Sequence, residues 1–332
     1  MSILSLTFLG TGGAVPSVER NVSGLAVQRE GETFLFDCGE GTQRQMMRYG
    51  VSFAFREIFF THYHADHILG LTGLLRTMGL QDRTAPLTLY GPRGAERMLG
   101  QLVTLGFERP RFPVEIVEVR AGQRLDRGDY AVAVFATDHR TDTVGYALVE
   151  HDRLGRFDPA RARALGIPEG PLWGRIHRGE AVTLEDGRTI TPEELVGPPR
   201  PGRTVVYTGD TRPSASVIEA ARGADLLVHE ATFGDDERQR AVETGHATAA
   251  GAARVAKEAG VRRLVLTHIS PRYSREAPEL VAEARRIFPE TSVARDGLTV
   301  EVPFPGAEGP GNPAAGAGVP AATPGKSPRE GG

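Results

Sequence analysis

The segment Thr61–His67, THYHADH, places three of the chain's nine histidines and one aspartate within seven residues, directly after the apolar run EIFF (57–60). The pattern constrains the fold, because an apolar run of this kind is a buried strand, and four metal-binding side chains at its exit need a strand end that opens onto a loop. In an extended or turning loop, residues two apart project to the same side, so His62 and His64 can converge on one ion. Asp66 and His67 lie one step further and can reach a second. The bland alternative is a polar surface loop. The only cysteine, Cys38, excludes a thiolate cluster and an internal disulfide, so metal chemistry here must use imidazole and carboxylate, a set suited to zinc.

Around this segment the chain alternates. LSLTFLG, GLAVQRE, TFLFDCG, REIFFTH and LTLYG read as strands separated by glycine turns, and DHILGLTGLLRTMGL has helical apolar spacing, so the histidines sit on a strand-to-helix loop. FPVEIVEVR, YAVAVFATDH and VGYALVE continue the strand pattern. From 151 to 202 the character changes to Pro/Gly-rich sequence with little periodicity, and residues 151–179 carry six arginines against Asp152, Asp158 and Glu169. That is the one basic protrusion on a chain of formal net charge -3, which has no global pull toward nucleic acid. Strands and helices then resume from RTVVYTGDT to APELVAEARRIF. The order predicts an α/β protein, a helix/sheet/sheet/helix sandwich over 1–302 with an inserted arm at 151–202. Residues 303–332, rich in Pro, Gly and Ala, read as a disordered tail. The N-terminus has no signal-peptide pattern and no stretch of about 18 apolar residues occurs, so the expectation is a cytoplasmic protein with no membrane partner.

Three further candidates lie just past the ends of strand-like runs: His139 in FATDHRT, Asp210 in VVYTGDTRP and His268 in LVLTHISPRY. Singly each would serve as a turn or cap residue; strand ends in a layered fold gather on one edge. Together with FLGTGGAVPS, FDCGEGTQRQ, THYHADHILGL, HEATF and GHAT, these motifs resemble the metallo-β-lactamase superfamily and, within it, the ribonuclease Z family of tRNA 3′-processing endonucleases. The resemblance spans Phe8 to Tyr273. It implies the four-layer αβ/βα sandwich and two Zn2+ ions per subunit. One ion would be held by His62, His64 and His139, the other by Asp66, His67 and His268, with Asp210 bridging.

By the same resemblance Asp66 orients the attacking water and takes its proton, and His246 in GHAT protonates the leaving ribose 3′-oxygen, with Glu230 of HEATF as its catalytic partner. The implied substrate is precursor tRNA, bound by a homodimer through the arm (Arg175, Arg178), the PSVERN loop (Arg20, Asn21) and Arg272 and Tyr273 of the last motif. Val18 departs from the family form, which commonly has a lysine there. His229, one residue from Glu230, points off the other face of its strand and reads as structural. Asp37 supports the metal loop by hydrogen bonding, and Trp173 packs within the arm. Gly10, Gly12 and Gly13 are turn glycines, since no Gly-Lys-Ser/Thr follows. Rival readings are a dinuclear hydrolase of small phosphodiesters or sulfate esters and, from another class, a metal-stabilised RNA-binding module without turnover.

Overall fold

The computed structural model describes residues 3–106, 110–273 and 275–306. β1 (Leu4–Gly10), β2 (Gly24–Arg29), β3 (Glu32–Phe36), β4 (Glu57–Phe59), β5 (Leu87–Gly91) and β6 (Val114–Glu118) lie in one sheet. β7 (Arg124–Asp126), β8 (Tyr130–Ala136) and β9 (Val144–Glu150) begin a second. β10 (Val182–Thr183) and β11 (Thr189–Ile190) pair within the inserted segment. β12 (Thr204–Tyr207), β13 (Leu226–Glu230), β14 (Leu264–Thr267) and β15 (Thr291–Val293) return to the second sheet, and β16 (Thr299–Glu301) closes the first against β1. The strand orders are β16-β1-β2-β3-β4-β5-β6 and β15-β14-β13-β12-β9-β8-β7.

The two sheets face each other because their strands alternate. In β3, Phe34 and Phe36 enter the layer between the sheets, while Leu35 faces the outer helices; in β13, Leu226 and Val228 do the former and Leu227 the latter. Helices Gly70–Leu80 and Ala95–Thr104 cover the first sheet, burying Leu71, Leu74, Leu75 and Leu99. Each such leucine contributes about 1.5–3 kcal/mol. Ala249–Ala259 covers the second sheet with small residues; it starts at the Thr248 cap, whose side chain accepts the Gly251 N–H, and stops at Gly260 in the left-handed region.

The apolar run 66–80, expected as one helix, is two: Ala65–Ile68 and Gly70–Leu80. The chain turns where Gly70 presses on the backbone; a Cβ there would stand 2.0 Å from the Gly39 carbonyl oxygen. The inserted segment is more ordered than its composition suggests. Short helices at Pro159–Ala164, Pro171–His177 and Pro192–Leu195 and the β10–β11 hairpin enclose a core of Ala162, Ile167, Ile176, Val182, Ile190 and Leu195, with Trp173 packed against it. Pieces of four to seven residues are too short to show a helical period. Of the expected tail, 303–306 are described and the remainder lies outside the described residues.

Strand directions decide where the site falls. β3, β4 and β5 are parallel; so are β12, β13 and β14, and β8 shares their direction because it and β12 are both antiparallel to β9. Tyr207, at the end of β12, bonds Asp37, just past the end of β3, so the carboxyl ends of β3, β4, β8, β12, β13 and β14 open on one edge, where ligand sites of such sheets form.

Candidate metal centre

At this edge the exit of β4 changes from strand to helix spacing within a few residues. His64 keeps an extended backbone as the cap of Ala65–Ile68, and its Nδ1 lies 2.9 Å from Nε2 of His62 and 3.2 Å from Nε2 of His139. Asp210 Oδ2 completes the group, 3.6 Å from His62 Nε2 and 3.9 Å from His139 Nε2. In a second group Asp66 Oδ2 is 3.6 Å from His67 Nε2 and 3.2 Å from His268 Nε2, and Asp210 Oδ1 is 3.3 Å from both nitrogens. Four donors at about 2.0–2.1 Å around a tetrahedral zinc are about 3.3 Å apart along each edge. The first group supplies four such donors; the second supplies three, Asp66, His67 and His268, with Asp210 Oδ1 beside its two imidazoles. Asp210 Oδ1 is buried and receives no hydrogen bond, which costs about 1–3 kcal/mol unless a cation satisfies it.

The electrostatics favour positive charge. Burial opposes a proton on His67, yet Asp210, Asp37 and Asp66 outweigh it and hold this imidazole well above the usual histidine range. Burial likewise opposes ionisation of Asp210, but His268, His67 and His62 keep it well below the usual carboxylate range. His62 is pushed well below its ordinary value, first by burial and then by His67.

Two buried carboxylates, one per sheet, aim the imidazoles. Asp37, at φ 56° just past β3, accepts from His67 Nδ1 (2.8 Å), the Tyr207 hydroxyl (2.9 Å) and the Thr61 N–H (2.8 Å). The Thr61 hydroxyl also donates to Asp37, so it can only accept from His62 Nδ1 at 3.0 Å. Glu230, at the end of β13, does the same for the other sheet. Its Oε2 accepts the Thr232 hydroxyl (2.7 Å), which accepts from His268 Nδ1 (2.9 Å), while Oε1 accepts from His246 Nδ1 (2.8 Å). His139 Nδ1 donates to the Gly245 carbonyl at 2.7 Å. In His62, His67, His139 and His268 these partners favour a proton on Nδ1, the tautomer that turns a free Nε2 toward the cluster. Sequence reading did not single out Thr61 and Thr232; only their adjacency to His62 and Glu230 marked them.

Burial opposes charge on His246, but Glu230, with Asp210 and Asp66, raises it to about 9. Asp210, His246 and His268 also have ligand atoms within 4.8 Å of one another. With its Nδ1 bonded to a buried carboxylate, His246 is suited to donating a proton from Nε2. Glu230 lies against His246 Nδ1, the contact expected of a residue that aims this imidazole, and through Thr232 it also reaches His268. It is fully buried, with the Thr211, Thr232 and Ala247 N–H groups also on its oxygens, so it reaches no substrate and positions His246 and His268.

Arg20, expected at the RNA, is 3% exposed. Its guanidinium donates to Thr11 Oγ1 and the Ala294 carbonyl, each at 2.7 Å, and to the Arg275 carbonyl, which makes it an internal clamp of the 11–21 loop. Asn21 is half-buried; its N–H donates to Asp296 at 2.7 Å. Arg272 is a third exposed, lies over Phe233 and pairs with Glu237, while the Tyr273 hydroxyl accepts the Gly234 N–H at 2.8 Å, so both brace the loop after β13. In the arm Arg175 pairs with Glu180 at 2.8 Å, and Arg178 is exposed without an ion pair among the described residues. Val18 is fully exposed. His229 is buried, facing the helix layer, with Nδ1 donating to the Glu230 carbonyl at 2.7 Å.

Residues 4–154 match the family described as anti-Pycsar protein Apyc1, and residues 194–269 match the beta-lactamase superfamily domain. The ribonuclease Z of Gemmatimonas aurantiaca is 60% identical over 301 residues, covering 90% of this chain and 96% of that relative. That of Myxococcus xanthus is 56% identical over 305 residues, covering 92% and 99%. The solved structure of human tRNase Z, short form, matches with a TM-score of 0.65 at 28% identity, covering 90% of this chain and 100% of that one.

Proposed function

The chain belongs to the ribonuclease Z family, and we propose that it is an endoribonuclease that removes the 3′ trailer from precursor tRNA with two zinc ions per subunit. The observation that carries this reading is the pair of donor groups, His62, His64, His139 and Asp210 in one and Asp66, His67 and His268 in the other, beside an imidazole hydrogen-bonded to a buried carboxylate. His62, His64 and His139 would hold one ion, Asp66, His67 and His268 the other, with one oxygen of Asp210 toward each. When bound, the ions supply Lewis acidity to the phosphodiester and acidify water toward neutral pH.

The chain's own groups do the rest. Asp66 Oδ2 is fixed by the Ala14 N–H at 2.8 Å, which leaves Oδ1 to orient the attacking water and take its proton. His246, held as imidazolium by Glu230, donates from Nε2 to the departing ribose 3′-oxygen. The products are a tRNA 3′-hydroxyl and a trailer with a 5′-phosphate. The arm meets the phosphates of the tRNA body; Arg156, Arg161 and Arg178 are exposed there and free of ion pairs among the described residues. A homodimer in the cytoplasm is part of the same proposal.

The test incubates zinc-loaded protein with a 3′-extended precursor tRNA and sequences the fragment ends. Cleavage at the 3′ side of the tRNA body that is lost in His64→Ala supports the reading. Intact RNA in the presence of stoichiometric zinc would leave a binding module, and cleavage of small diesters alone would leave the small-substrate hydrolase.

A further inference from the structure

The arm leaves the second sheet at Glu150 and returns at Arg203 on a paired stalk. The Glu150 N–H donates to the Arg203 carbonyl at 2.9 Å, Arg153 and Arg200 exchange bonds of 2.8 and 2.9 Å, and the Gly197 N–H donates to the Arg156 carbonyl at 2.9 Å. The two strands approach closely, since a Cβ on Gly155 would stand 1.8 Å from the Gly197 carbonyl oxygen. A stalk this narrow takes its direction from its root.

The root is built from three parts of the chain. Arg203, 1% exposed, bonds both oxygens of Glu150 at 2.7 Å and donates to the Val302 carbonyl at 3.1 Å. Arg29, in the first sheet, adds a bond to Glu150 at 2.9 Å. Beyond β16 the Val302 N–H donates to the Leu4 carbonyl at 2.8 Å, and the chain then places Phe304 between two guanidiniums. Arg153 of the stalk lies 3.2 Å from the ring centre and Arg203 3.9 Å. Arg153 Nε is buried without a hydrogen bond and its NH2 donates to the Pro201 carbonyl at 3.4 Å, so the ring 3.2 Å away is its closest side-chain contact.

We propose that Phe304 is a clasp that ties the root of the arm to the last strand of the first sheet, and so holds the arm at the angle from which precursor tRNA reaches the metal centre. The inference rests on the reading of the arm as the RNA-holding element. Phe304 touches no substrate; it is a positioning residue whose aromatic face, rather than its bulk, does the holding, so tyrosine replaces it and leucine does not.

The experiment measures kcat and KM of full-length Phe304→Ala, Phe304→Leu and Phe304→Tyr on precursor tRNA and on bis(p-nitrophenyl) phosphate, with zinc content and melting recorded. A chain lacking residues 152–200 is the control. The expected result for Ala and Leu is a KM for precursor tRNA raised about three- to tenfold, with small-diester turnover unchanged and the tyrosine variant restored. An unchanged tRNA KM in Phe304→Ala, while the arm deletion raises it, overturns the clasp alone. An unchanged tRNA KM in the deletion overturns the arm reading with it. Parallel loss on both substrates makes Phe304 a residue of general stability and also overturns the proposal.

Discussion

Replacing Asp37 with asparagine should weaken both halves of the metal centre, although Asp37 belongs to neither. Its carboxylate accepts on both oxygens: the Thr61 N–H and hydroxyl on one, His67 Nδ1 and the Tyr207 hydroxyl on the other. An asparagine must turn an NH2 toward one of these pairs. If it faces Thr61 it meets an N–H that cannot accept. If it faces His67, the imidazole must move its proton to Nε2, the atom needed for the ion. Either orientation loses a hydrogen bond to a charged group, about 1.5–3 kcal/mol. Loss of such an outer partner typically weakens metal binding about 10–100-fold, or about 1.4–2.8 kcal/mol, so the two routes agree. Competition against a chromophoric chelator measures it. The larger loss falls on the ion held by His67, and a smaller one on the ion held by His62, which Asp37 reaches only through Thr61. Two sites of unchanged affinity in Asp37→Asn would falsify the argument that this carboxylate sets the imidazoles.

Other outcomes follow from the same contacts. His246→Ala should lower single-turnover cleavage of precursor tRNA about 10²–10⁴-fold while both ions still bind. Glu230→Gln should lower cleavage and also weaken the ion held by His268, because Glu230 anchors that imidazole through Thr232; chelator competition separates the two variants. Arg20→Ala should cost about 2–4 kcal/mol in urea unfolding, since two buried acceptors and the half-buried Arg275 carbonyl lose their donor, and a stable protein with only a raised tRNA KM would return Arg20 to the RNA. Burial opposes ionisation of Glu150, but Arg203 and then Arg29 hold its carboxyl below the ordinary 4.5. A carboxyl depressed in the folded state contributes stability that is present above its unfolded value and lost as pH falls through the folded one. Unfolding free energy should therefore drop on acidification below about pH 4.5, and Glu150→Gln should flatten that limb.

The convergence of the site's side chains was legible in large part because its logic is local. His62, His64, Asp66 and His67 fall within one strand exit, where alternation and the start of a helix decide which side chains converge; His139, Asp210 and His268 are marked by the ends of their own apolar runs. The layered order of strands and helices was readable for the same reason, while β15 and β16, three residues each, carry no period to read. Tertiary packing alone decided what each charge faces. Arg20 is an arginine on a loop until Thr11, Arg275 and Ala294, up to 274 positions away, close over it. Glu230 looks like a partner for one histidine, yet the fold makes it serve two. Phe304 falls in a stretch whose composition predicts disorder, but the backbone of β16 carries it between two guanidiniums. Sequence carries periodicity and donor type, which depend on neighbours along the chain; burial and hydrogen-bond direction depend on neighbours in space, and those are decided only when the two sheets close.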